Sequence, residues 1–226
     1  MNRLILLNSK HPSMFAFQKK NHHFLKKFAV WLGGKCSWLN SSEWEMSSKQ
    51  ERGSDLSIVV AFHKQWNIQL TILQEYKKEE SSFVYTFIFK NQSEENLNIK
   101  FVVHQQRFGT VSSKVAFISP LRQTIMHYGS PILTLLATNF FKGKESQLAV
   151  GKREKIWSEK SGNLAVSPLC QSGHESMMVT SLQLAPWQET YGRIWEINGT
   201  SEEEVLMKHD KQIRSNHLKQ VTKQIL

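Results

Sequence analysis

Hydrophobic and polar residues alternate with a period of two through the middle of the chain. In Ile68-Gln69-Leu70-Thr71-Ile72 the apolar side chains fall on one face and the polar ones on the other. Phe83, Tyr85, Phe87 and Phe89 share a face, Val84, Thr86 and Ile88 lie opposite, and Ile99, Phe101 and Val103 repeat the pattern. Successive side chains of an extended strand point to opposite faces, so this alternation predicts half-buried strands. The polar run Asn91-Gln92-Ser93-Glu94-Glu95-Asn96 between the second and third of them suits a hairpin loop. Further strands are expected over Leu56–Phe62, Val115–Ile118, Thr124–His127, Ile132–Thr138, Leu148–Val150, Leu164–Val166, Met177–Leu184 and Tyr191–Ile197.

Turn chemistry separates these segments: Ser119-Pro120, Gly129-Ser130-Pro131, Lys142-Gly143-Lys144, Ser161-Gly162-Asn163, Ala185-Pro186 and Asn198-Gly199. No long helical pattern lies between them, whereas parallel strands need a crossover of a dozen or more residues. The fold class that follows is mainly β, an antiparallel two-sheet β-sandwich. The tail changes character. Ser201-Glu202-Glu203-Glu204 has capping-box spacing, and acids in a first helical turn complement the helix dipole. Leu218, Val221 and Ile225 then recur at helical spacing. That apolar face is either half of an interface or a helix folded back on its own sandwich. The division expected is a basic, poorly patterned segment over 1–20, a sandwich over 21–199 and a linker-like helix over 200–226.

Composition supports a β core. The 226 residues are 40% hydrophobic, with seven tryptophans and thirteen phenylalanines, whose flat rings suit a pleated, half-buried surface. The net charge of +10 is concentrated at the ends: residues 1–42 hold seven Lys/Arg and no acid. Charge outside the best-patterned strands reads as a solvated basic face, so no nucleic-acid partner is expected. Two cysteines, Cys36 and Cys170, make neither a disulfide framework nor a metal site and read as buried free thiols. Leu4-Ile5-Leu6-Leu7 is shorter than the ~7–15 apolar residues of a secretory signal. No window approaches the ~20 that a membrane span needs. A soluble, cytoplasmic protein is the expectation.

Catalytic patterns are sparse. Seventeen glutamates and two aspartates, Asp55 and Asp210, cluster at Glu79-Glu80, Glu94-Glu95 and Glu202-Glu203-Glu204, where water is expected. The adjacent His22-His23 pair would point to opposite faces of a strand and could not easily share a metal. There is no G-x-S-x-G elbow and no phosphate-binding loop; Gly33-Gly34-Lys35 reads as a turn. No cofactor, metal or catalytic residue is assigned. Trp31, Trp38 and Trp44 are candidates for a sugar-stacking platform, weighed against a role as core and sheet-covering residues.

A set of segments resembles the N-terminal domain of bacterial and archaeal glucoamylase-type glycoside hydrolases, family 15 and its relatives. They run from Asn21-His22 through Phe28-Ala29-Val30-Trp31-Leu32-Gly33-Gly34, Ser37-Trp38-Leu39 and Trp44. Next come Phe83–Asn91, Ile99–Val103, Val115-Ala116-Phe117 and His127-Tyr128. Gly151, Trp157, Gly162-Asn163-Leu164, Leu184-Ala185-Pro186 and Gly199-Thr200-Ser201-Glu202-Glu203-Glu204-Val205 complete the series, in the family's order. The resemblance implies a galactose mutarotase-like supersandwich followed by a helical linker. In the family an (α/α)6 barrel comes next and carries both catalytic carboxylates. This sequence ends in what resembles the linker, and the family's opening strands are not recognisable in Met1–Lys20.

The expectation is therefore a non-catalytic module, truncated or half of a split enzyme, that packs against a helical barrel and contacts α-glucan-type carbohydrate. Trp31, Trp38, Trp44, Leu218, Val221 and Ile225 are its expected interface or carbohydrate contacts. A free-standing interaction or regulatory sandwich and a stand-alone carbohydrate-binding module remain alternatives.

Overall fold

The computed structural model describes residues 24–50, 55–107, 113–140, 146–171 and 175–224, with side chains throughout except at 113, 114 and 216–224. Two antiparallel sheets face each other. The smaller has five strands in the spatial order β11 (Gln147–Val150), β15 (Glu175–Leu184), β7 (Leu97–Arg107), β1 (Phe24–Leu32) and β2 (Lys35–Trp38). The larger has nine: β14 (Leu169–Gln171), β8 (Ser113–Ser119), β9 (Thr124–Gly129), β10 (Leu133–Phe140), β16 (Glu189–Gly199), β6 (Ser82–Asn91), β5 (Ile68–Lys77), β4 (Leu56–His63) and β3 (Trp44–Gln50). Outside the five-stranded sheet lie α1 (Arg153–Ile156) and the short pair β12 (Trp157–Ser158) and β13 (Asn163–Leu164). Outside the nine-stranded sheet lies α2 (Glu202–Gln224).

The alternating residues read from the sequence form the layer between the sheets. Phe83, Tyr85, Phe87 and Phe89 of β6 are all buried there, opposite Phe28 of β1 and Phe101 of β7. Their rings interlock: Phe28 to Phe87 is 5.0 Å between centroids, Phe87 to Phe101 4.6 Å and Phe89 to Phe101 5.0 Å. Tilted and edge-on ring pairs at such distances add to the area they bury.

The pattern missed β1, β2, β3, β12 and β14. In β1, Lys26 occupies an inward slot between Phe24 and Phe28 and breaks the apolar rhythm. The opposite face, with Ala29 and Trp31, is covered by α1 and the β12–β13 pair, so both faces of β1 are partly or wholly buried. β3 is an edge strand that turns only Trp44 and Met46 to the core as apolar residues. The expected strand Leu164–Val166 is corrected: pairing stops at Leu164, and Val166 is 96% exposed. Cys36 and Cys170 are free but only half-buried, not buried as expected. Residues 1–20 and the His22-His23 pair lie outside the described residues.

Candidate functional site

Trp31 and Trp38 share the outer face of the five-stranded sheet, since Trp31 pairs with Cys36 and Trp38 with Ala29 along the β1–β2 ladder. Both are half-buried. The Trp31 indole N–H donates to the Glu159 carbonyl at 2.6 Å, and the Lys100 ammonium sits 4.8 Å from its ring centroid. Gly162, at φ +62°, presses on the same ring: a Cβ there would lie 2.6 Å from it. Trp38 carries the Arg153 guanidinium over its ring at 5.5 Å and meets His104 edge-on. His104 in turn bonds Glu175 at 2.9 Å. Burial lowers the His104 pKa while Glu175 opposes the shift. The result is an aromatic ledge edged by Lys100 and Arg153.

Trp44 is elsewhere. It lies in the main core, 6% exposed, with its indole N–H donating to Ser37 Oγ at 3.0 Å. The three tryptophans therefore do not form one platform. The role that Trp44 has in the fold is packing.

Around Trp44 the structure gathers Ser37, His63 and Glu43, a set the sequence did not reveal because they come from β2, β4 and a loop. His63 Nδ1 accepts the Trp66 backbone N–H at 3.2 Å, so Nε2 carries the proton and donates to Ser37 Oγ, also at 3.2 Å. The Ser37 hydroxyl in turn donates a hydrogen bond to the Glu43 carboxylate, which also pairs with Lys35. A nucleophilic serine needs the histidine as acceptor of its proton. Here the direction is reversed and Ser37 is 1% exposed, so the chain of bonds clamps one sheet to the other.

This clamp predicts acid lability. Hydrogen bonds from Lys35 and Ser37 hold the Glu43 carboxyl down at about 2, and burial lowers His63. Both folded pKa values lie below their unfolded ones, so the unfolded chain binds more protons as pH falls. Their contribution is complete above the ordinary histidine range. It is lost first through that range and then from the ordinary glutamate pKa down toward 2. The urea midpoint should fall from neutral to mildly acidic pH, and Ser37→Ala should lower the stability at neutral pH by ~1–3 kcal/mol.

A second buried polar group spans the sheets. Lys26 of β1 and Glu196 of β16 form an ion pair with side chains 3% and 0% exposed. Burial pushes the Lys26 ammonium down, to about 7. Asn198 donates to Glu196 at 3.3 Å and accepts from Thr134 at 2.7 Å, and His127 bonds Ser176 at 2.9 Å across the sheets. Glu196 is the one buried carboxylate among the described residues. Hydrolysis of a glycosidic bond uses two facing carboxyl groups. The clusters Glu79-Glu80, Glu94-Glu95 and Glu202-Glu203-Glu204 are exposed or half-exposed.

Helix α2 begins on a cap: Ser201 Oγ accepts the Glu204 N–H at 3.2 Å, and Glu204 reaches back to the Thr200 N–H at 2.8 Å. Its first half folds back on the nine-stranded sheet, packing Val205, Leu206 and Ile213 on Val84, Leu135 and Trp195. His209 Nδ1 accepts the Trp195 indole N–H at 3.1 Å. The side chains of Leu218 and Val221, and Ile225 altogether, lie outside the described residues.

The class this architecture defines is the antiparallel two-sheet β-sandwich with a C-terminal helix packed on the larger sheet. Against solved structures, the chain superposes on a bacterial glucoamylase complexed with acarbose with a TM-score of 0.62 and 14% identity, over 86% of this chain and 30% of that one. It superposes on a putative kojibiose phosphorylase from human microbiome with a TM-score of 0.53 and 14% identity, over 87% of this chain and 25% of that one. The chain thus spans 25–30% of the length of these two structures. No family model matches it, and no curated protein does at the sequence level. No helix among the described residues is long and apolar enough to cross a membrane.

Proposed function

We propose that this chain is the non-catalytic β-sandwich module of a carbohydrate-active enzyme of glucoamylase type, working with a helical barrel that brings the catalytic carboxylates. The observation that carries this reading is the shared fold: nearly the whole chain matches a minor part of two carbohydrate-active enzymes. That the one buried carboxylate among the described residues, Glu196, is paired with Lys26 supports it. Purified chain should give no turnover of maltooligosaccharides, and adding a barrel partner should restore hydrolysis. Turnover by the chain alone, co-purifying with it through several columns, overturns the proposal.

Within this reading the ledge of Trp31 and Trp38 is the carbohydrate-facing surface, because rings half-open to solvent can stack on a sugar face. Titration with maltooligosaccharides should change tryptophan fluorescence, and Trp38→Ala should remove most of the change without altering the fold. An unchanged signal from the native chain argues for a protein-facing ledge. A free-standing interaction module is the second reading, favoured by the open edge at β3.

A further inference from the structure

β3 ends the nine-stranded sheet, so among the described residues no strand meets one side of its backbone. The Lys64 N–H donates to the Glu43 carbonyl at 3.2 Å, which sets the alternation of the ladder running from Trp44↔His63 to Gln50↔Ser57. Glu45, Ser47 and Lys49 exchange backbone bonds with β4. Met46, Ser48 and Gln50 therefore direct N–H and C=O to the open side, while the Trp44 N–H is taken by the Ser41 carbonyl at 3.3 Å. The strand contains no glycine or proline. Its exposed side chains on the outer face are Glu45, Ser47 and Lys49, an acid and a base placed symmetrically about a serine.

That symmetry selects a partner. If a second β3 lies antiparallel with a two-fold axis through Ser47, Glu45 of each copy stands opposite Lys49 of the other. Met46 and Ser48 then exchange both backbone bonds with their counterparts, and the two small serines meet at the closely spaced central pair. An axis on Glu45 or Lys49 would oppose like charges instead, which destabilises a cross-strand pair. Glu45 already meets Lys64 at 3.2 Å, but it is 68% exposed and has a second oxygen to offer. An isologous contact of this kind closes on itself and ends at a dimer.

We propose that β3 is a dimerisation edge, two copies of this chain pairing these strands antiparallel about Ser47 to make one continuous sheet. The inference does not depend on the carbohydrate reading. Sedimentation of the full chain over a concentration series should show a reversible monomer–dimer equilibrium. Glu45→Lys and Lys49→Glu should each weaken dimerisation by about tenfold or more, since each turns two attractive pairs repulsive. The double variant E45K/K49E should restore it. Ser48→Pro removes an outward N–H without touching the β4 ladder, so it should give a monomer with an unchanged melting temperature. A native chain that stays monomeric at every concentration overturns the proposal. So does a dimer indifferent to Ser48→Pro, or a double variant no better than either single.

Discussion

Lys26→Met destabilises the sandwich by about 3–5 kcal/mol, the expected effect of leaving a buried carboxylate without its counter-ion. Glu196 is fully buried, and apart from Lys26 its described hydrogen-bond partner is the Asn198 amide at 3.3 Å. A charge taken out of water and left uncompensated is among the few single-site changes able to produce an effect of this size. The double variant K26M/E196L should recover most of the loss, because two apolar side chains can fill the space without any charge to desolvate. Urea denaturation of the four proteins completes a double-mutant cycle. A coupling near zero would mean that the pair does not hold the two sheets in register.

Phe101→Ala should be comparably damaging, at about 3–5 kcal/mol, through lost burial and the cavity left behind. Phe101 is 1% exposed and touches the rings of Phe28, Phe87, Phe89 and Phe140, so its removal leaves several aromatic neighbours without a partner. These rings come from both sheets and are locked by strand pairing, so they cannot close on the gap. The check is a lower urea midpoint at an unchanged slope, which separates lost stability from a change in compactness. A loss under 1 kcal/mol would show that the two sheets can move together to fill the space.

Much of the fold was legible along the chain, for a local reason. Strands such as β5 have one face on the core and the other half-exposed, so burial writes itself into alternate positions. β1 was not legible because tertiary packing covers both of its faces, and because the charge on Lys26 is answered by a residue 170 positions away. The cap of α2 was legible, since Ser201 and Glu204 act within one turn. Where the helix lies was not, because that depends on Trp195 and Val84 meeting its Val205 and Leu206.

The candidate site divides the same way. Trp31 and Trp38 could be picked out as large aromatics, but whether they lie on one face with each other or with Trp44 was undetermined until β2 paired with β1 and Ser37 turned inward. The order of bonds from Trp66 through His63 and Ser37 to Glu43 is likewise a product of assembly. By itself the sequence determined an antiparallel sandwich with a capped helical tail, since period and capping are properties of neighbouring residues. Only the tertiary structure decided which charges are buried in pairs, which tryptophans face outward and which strand is left at an edge. Those outcomes depend on groups distant in the chain meeting where water has been removed, and there a missing partner costs most.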